Sequence, residues 1–258
     1  MIETSFSPVI IQNQPNSDEN ESQDPQNEPT DEPTMIGLGP LRTANKLWIK
    51  QRIRASDILS KLTGCEVEKK FNILGSEGEV LYSAKEKSNC CCRFCCGNIR
   101  TLEINIRDPT GKDVINFSKP LNCAGLCCGI FYPYCTQALK VWINGEIPGE
   151  SAGVVRELAT WCYPVFHIFD SLGSATLKVK GPMFHFGLCS ESVPFEVTSV
   201  ENGSHVATIT KPWGGCCRET VLDADNFVIE FYLHMSVEEK ALILASAFLI
   251  DLMYFSNQ

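Results

Sequence analysis

The string CCCRFCCG, residues 90–97, sets five thiols among eight positions. Sulfur at that density can cross-link the chain, ligate a metal or accept an acyl group. Cross-linking is the weakest of the three. A disulfide demands a particular Cα separation and direction of Cβ vectors, which neighbouring cysteines do not readily supply. The chain also opens without a basic segment leading into an apolar one, so no secretory signal is expected and its 14 cysteines are expected to stay reduced. Zinc favours pairs separated by two to four residues. Cys92 and Cys95 fit that spacing and Cys123 and Cys127 nearly do. Runs of adjacent cysteines suit a tetrahedral site less well, because neighbours on a strand point to opposite faces. A second group, Cys123, Cys127, Cys128 and Cys135, lies beside the aromatic and aliphatic residues of GLCCGIFYPYC. That setting suits S-acylation, and since stable anchoring takes two chains or a chain plus another signal, clustering makes physical sense for it. From the residues alone, lipid, metal and inert thiols all stand.

Other constellations carry less. Asp223 and Asp225 in VLDADNFVIEFYLH are spaced as in a calcium loop, but Val228 stands where a sharp turn wants Gly, and His234 where a bidentate carboxylate is wanted. NFVIEFYL reads as a strand, so a plain strand with an acidic lead-in is the simpler reading. GESAG, residues 149–153, matches the nucleophile-elbow pattern, with Asp170 and His185 following in hydrolase order. An elbow needs a strand–turn–helix context, and SAGVVREL reads as a strand, so the match is taken as coincidental. The four histidines, His167, His185, His205 and His234, show no paired spacing, and no glycine-rich phosphate loop is present.

The elements that would position these residues are mostly strands. LWIKQRIR places Leu47, Ile49 and Ile53 on one face and Lys50, Arg52 and Arg54 on the other. SDILSKLTG then reads as a short helix, with Ser56 as N-cap and Gly64 as terminator. Hairpins follow, with turns expected at residues 75–78, 108–112, 144–145, near 149, 170–174 and 201–204. Short strands punctuated so evenly by Asp, Asn and Gly make an antiparallel barrel or sandwich, and nothing alternates strand with helix as a parallel sheet requires. The end differs. In SVEEKALILASAFLIDLMYF, Ser236 and Glu239 form a capping box, and residues 241–250 are apolar on every side. Such a helix is buried in protein or lipid. Ten uncharged residues before Asp251 are too few to span a bilayer, so the expectation is a helix threaded through a closed barrel. Packing on an open sheet, or a span tolerating Asp251, are the alternatives.

Charge is segregated. Of the 258 residues, none before Arg42 is Lys or Arg, and residues 1–34 hold eight carboxylates. Residues 1–40 cannot bury enough apolar area to offset their ordering entropy and are expected to form a disordered acidic Asn- and Pro-rich tail, either a spacer or a docking segment for protein partners. Residues 41–258 form the barrel domain. A net charge of -9 argues against a nucleic-acid binder. Outside the first 34 residues, however, 23 carboxylates face 22 Lys and Arg, which leaves room for a basic face.

Five pieces in order, SNCCCRFCCG, KPLNCAGLCC, GPMFHFGLCSESVPFEV, LDADNF and AFLIDLMYF, resemble the phospholipid scramblases, over residues 47–255. The resemblance implies a twelve-stranded, tubby-like β-barrel around a C-terminal helix. It implies attachment by palmitoyl thioesters at Cys123, Cys127 and Cys128 to the cytoplasmic face of the plasma membrane. It further implies Ca²⁺-triggered, ATP-independent, bidirectional movement of membrane phospholipids without covalent catalysis, with Ca²⁺ at Asp223 and Asp225 and a possible calcium-dependent oligomer. The competing expectation is a membrane-tethered adaptor that moves no lipid, because a barrel with its one apolar helix buried offers no obvious lipid path. A metal-binding structural protein is the third.

Overall fold

The structure is a computed structural model that describes residues 37–52, 68–87, 100–120, 136–143, 151–160, 162–183, 192–212 and 227–255. The short helix expected at residues 56–64 lies outside them. Twelve strands form one closed antiparallel barrel in which every strand pairs with its neighbours in sequence: β1 Lys46–Gln51, β2 Lys70–Leu74, β3 Val80–Lys87, β4 Leu102–Arg107, β5 Asp113–Lys119, β6 Ala138–Ile143, β7 Ser151–Leu158, β8 Val165–Asp170, β9 Ala175–Lys180, β10 Val193–Ser199, β11 His205–Lys211 and β12 Phe227–Phe231. A short helix, α1 Gly39–Thr43, precedes them, and a long one, α2 Val237–Ile250, follows and continues as a π-helical turn, Asp251–Phe255.

Alternation makes the wall. Along β3, Tyr82, Ala84 and Glu86 are buried while Leu81, Ser83 and Lys85 are less so. On β1, Leu47 and Ile49 are buried and Lys50 is exposed, as the period of two predicts. The hairpins expected at residues 75–78, 108–112, 170–174 and 201–204 form, and their turn residues explain them, while the turns expected at 144–145 and near 149 lie outside the described residues. At residues 170–174 the Asp170 carboxylate accepts from the backbone N–H of Leu172 at 2.9 Å and of Ser174 at 2.8 Å. Gly173, at φ 83°, takes the left-handed conformation that side chains disfavour. Closure comes from β1 against β12, in register from Lys46 opposite Glu230 to Ile49 opposite Phe227. Closure removes the sheet edges and excludes the sandwich.

A barrel this wide is not filled by side chains pointing in from its wall. Helix α2 fills it. Its capping box forms as predicted, Ser236 Oγ accepting from the Glu239 N–H and Glu239 Oε2 from the Ser236 N–H. Its contacts come from strands all round the circle. Phe248 packs against Phe71 of β2 and Phe117 of β5, Leu242 lies under Gly153 of β7, and Phe255 meets Phe227 of β12. Residues 240–250 are all buried, so the helix threads the barrel. Helix α1 packs over the end where α2 enters: Leu38 and Leu41 are buried, and the Lys240 ammonium donates to the Arg42 and Ala44 carbonyls at 2.7 Å each.

Candidate functional site

In an up-and-down barrel, alternate connections emerge at opposite ends. At the end where α2 enters, β2 joins β3, β4 joins β5, β8 joins β9 and β10 joins β11 through compact turns, and residues 144–150, outside the described residues, join β6 to β7. At the end where α2 leaves, they are residues 52–69, 88–101, 120–137, 159–164, 181–192 and 212–226. Those six connections contain all 14 cysteines, and Asp223 and Asp225 as well. One topological rule thus assigns every thiol to connections anchored at a single rim. Cys90–Cys96, Cys123, Cys127, Cys128, Cys135, Cys216, Cys217, Asp223 and Asp225 themselves lie outside the described residues. Cys162 is described, and it is exposed with a free thiol.

The calcium segment is bounded by its flanks. Counted from Asp223, positions five to nine are strand β12, with Val228 opposite Trp48 on one side and Thr210 on the other. His234 lies past that strand, exposed, at the end where α2 enters. A single coordinating loop running from Asp223 to His234 therefore does not form, as the strand reading of NFVIEFYL expected. A five-residue strand holds its two ends roughly 13 Å apart. Two carboxylates are a fair beginning for a hard cation that takes oxygen ligands, but the remaining donors would have to come from the same rim.

Inside that rim the wall carries charge where alternation would place apolar groups. Lys119 continues the inward face of Ile115 and Phe117, is 1% exposed, and donates to the Arg100 carbonyl at 2.8 Å. Burial, and then the Arg100 charge, pushes its ammonium down to about 8. Glu157 continues the inward face of Val155. Burial raises its carboxyl above the usual range, against hydrogen bonds from the Gln137 N–H and the Tyr254 hydroxyl, both at 3.2 Å, and the Lys119 charge. Burial and the neighbouring Glu157 push the Tyr254 phenol up in turn. Arg100 and Glu86 form an ion pair at 3.1 Å, with side chains only 4% and 3% exposed. Asp251 faces Lys69 at 3.6 Å, and Lys211 sits over the rings of Phe227 and Phe255. These groups tie the last turn of the threaded helix into the mouth of the barrel. The sequence did carry their signal: Lys119 and Glu157 fall in phase with apolar neighbours two residues away.

Among the described residues no catalytic geometry is built around GESAG, whose Gly149 and Glu150 lie outside them. Ser151 opens strand β7, and its hydroxyl lies within 3.2 Å of the Val141 carbonyl and 3.3 Å of the Gly153 carbonyl. Asp170 is engaged in its own turn. Gly153 owes its identity to packing: at φ 150°, a Cβ there would lie 2.1 Å from the Phe169 carbonyl oxygen. His167 stands on the outer face of β8, and His205 pairs with Thr208 at 3.0 Å. His185 is outside the described residues. Among the described residues no three His, Cys, Asp or Glu side chains come together as a metal site, and no helix is long and apolar enough to cross a bilayer.

Comparison with known proteins extends this picture. Residues 24–257 match the family described as Scramblase. The chain is similar to Phospholipid scramblase 1 of Mus musculus, 37% identical over 223 residues that make up 86% of this chain and 64% of that protein. It is similar to Phospholipid scramblase 1 of Homo sapiens, 36% identical over 86% of this chain and 66% of that protein. Phospholipid scramblase 2 of Bos taurus is 35% identical over 85% of this chain and 71% of that protein. The chain thus spans just under two thirds of the length of the mouse and human proteins. No solved structure matches it significantly.

Proposed function

The chain belongs to the Scramblase family, as its five ordered motifs implied, and from that premise we propose that it moves phospholipids between the leaflets of a membrane, in both directions and without ATP. Head groups cross hydrocarbon slowly because desolvating a polar or charged group costs several kcal/mol or more. Lowering that barrier needs a polar path or a locally thinned bilayer, with no covalent step. Because nothing drives the process, it runs both ways. In this reading palmitate on Cys123, Cys127 and Cys128 holds the rim of the barrel to the cytoplasmic face of the plasma membrane. Asp223 and Asp225 would hold Ca²⁺, which supplies, when bound, a bridge to anionic head groups. The acidic tail would dock protein partners, and calcium would promote self-association.

The family match across residues 24–257 carries this reading, and the gathering of every cysteine into connections of one rim supports the mode of attachment. One observation favours the competing reading of a membrane-tethered adaptor: α2 is enclosed by its own barrel, and among the described residues no helix suits a bilayer. Purified chain in vesicles with a fluorescent phospholipid on one leaflet separates the two. Faster exchange with calcium, and none without protein, supports scrambling. No acceleration at any calcium concentration leaves the adaptor. Calorimetric titration with calcium then tests the ion separately, and equal heats from wild type and Asp223→Ala would remove Asp223 as a ligand.

A further inference from the structure

The outward positions of β6 to β9 hold Lys140, Arg156, Lys178 and Lys180 and no carboxylate. The register lines them up. Arg156 stands opposite His167, and His167 opposite Lys178, so three basic side chains form one row across three strands. Like charges gathered on one face of a sheet are destabilising by themselves. Natural walls relieve such repulsion with carboxylates, and part of this barrel does so. The exposed ion pairs among the described residues, Lys46–Glu230, Lys85–Glu68 and Arg107–Asp113, all lie on or beside strands β12 and β1 to β5. On the β6–β9 wall the cations meet rings instead. Arg156 lies 5.4 Å from the centre of Phe169, and Lys180 lies 4.8 Å from the centre of Tyr163. The nearest carboxylate in register is Glu196 of β10, opposite Lys180, and it makes no ion pair with it. A basic, ring-backed wall that makes no ion pair among the described residues is complementary to an external anionic surface.

Its position says which. Lys180 is the last residue of β9, Lys178 lies two before it, and Arg156 lies two before the end of β7. The row therefore runs roughly 7 Å from the cysteine-bearing rim. Exposed Met183, 58% accessible, follows Lys180 on that rim. A linear acidic peptide would be matched by a groove. A convex band of cations beside an exposed apolar side chain matches a broad polyanionic plane.

We propose that the β6–β9 wall, centred on Arg156 and Lys178, is a docking surface for anionic phospholipid head groups and tips the barrel so that this wall meets the bilayer. The inference rests on the membrane reading above, but not on lipid transfer. His167, kept low by burial and by Lys178, adds shape to the row at neutral pH while the flanking cations supply its charge. Each basic residue near an anionic leaflet contributes about 1 kcal/mol.

The test is flotation of the full chain, purified without acylation, with vesicles of phosphatidylcholine alone or mixed with phosphatidylserine. Wild type should float with the mixed vesicles at low salt and lose them as salt screens the contact. Arg156→Gln/Lys178→Gln should weaken that binding roughly ten- to thirtyfold, with an unchanged thermal transition. Lys50→Gln/Lys87→Gln removes two charges near the same rim on the opposite wall and should change binding by less than about threefold. Equal losses in the two double variants, or binding indifferent to phosphatidylserine, would overturn the proposal. So would binding of poly-glutamate but not vesicles through Arg156 and Lys178, which would reassign the wall to an acidic protein partner. Flotation is read without any flip, so a failed flip assay with intact flotation removes scrambling and keeps the wall, and the reverse removes the wall alone.

Discussion

Arg100 and Glu86 set the sharpest single-residue expectation. Their ion pair is almost wholly enclosed, and removing one partner from such a pair leaves a buried charge uncompensated, typically at about 3–5 kcal/mol. Arg100→Met should lower stability by that order in urea unfolding, and adding Glu86→Leu should restore much of the loss, because two apolar groups in place of a buried pair are often neutral or better. If the double variant is no better than the single, the pair is not the source. Lys119 makes a different prediction, in pH. Its folded value, pushed from 10.5 down to about 8, lies below that of the unfolded chain, so between those values the unfolded state holds the proton more often. Stability from this group is therefore gained as pH rises through that window and lost as pH falls. The stability of wild type relative to Lys119→Met should climb from pH 8 upward, and a flat difference would place the lysine in water. These groups escaped the sequence reading because it followed apolar periodicity. Inside the mouth of this barrel the period is kept while the polarity is reversed.

Individual elements were far more legible, since turn chemistry and a period of two are local. The turns at residues 75–78, 108–112, 170–174 and 201–204 were readable from Asp, Asn and Gly, and the strands on either side follow from them. Helix α2 was readable from its cap and from being apolar all round. Replacing its cap, Ser236→Ala, should cost about 1 kcal/mol, measured as a shift in urea midpoint with the slope unchanged. GESAG, set aside in the sequence as a coincidental match, holds a glycine that answers to its neighbours in space. Any Cβ at Gly153 meets the Phe169 carbonyl and then Leu242 of α2. Gly153→Ala should destabilise by roughly 1–3 kcal/mol, and an unaffected variant would mean that β7 can move away from the helix. Strand pairing hid this contact, because Gly153 and Asp170 stand opposite each other 17 residues apart in the chain.

At the scale of the whole molecule, parity does what no motif can. Once twelve strands are counted, each odd-to-even connection falls at one rim, and every cysteine falls in such a connection. The resemblance implied the number of strands, and their bounds were the missing information: without them the cysteine groups cannot be assigned to one end of the barrel. Cys123, Cys127, Cys128, Asp223 and Asp225 lie outside the described residues, so their chemistry is tested in solution. Two proposed forms of attachment share this rim and differ in physics. Acyl chains hold by apolar burial, about 0.8 kcal/mol per methylene and indifferent to salt, while the basic wall holds by charge and is screened within about 10 Å at moderate ionic strength. One chain alone binds reversibly and needs a second signal. Wild type in cells should therefore stay on membranes in high salt. A variant keeping one of Cys123, Cys127 and Cys128, the others changed to Ser, should stay at low salt and leave at high salt. That same variant carrying Arg156→Gln/Lys178→Gln should leave at both. Fractionation with thioester labelling reads all three, and if the single-cysteine variant resists salt as well as wild type does, either another thiol carries lipid or the wall is not the second signal, which the labelling distinguishes.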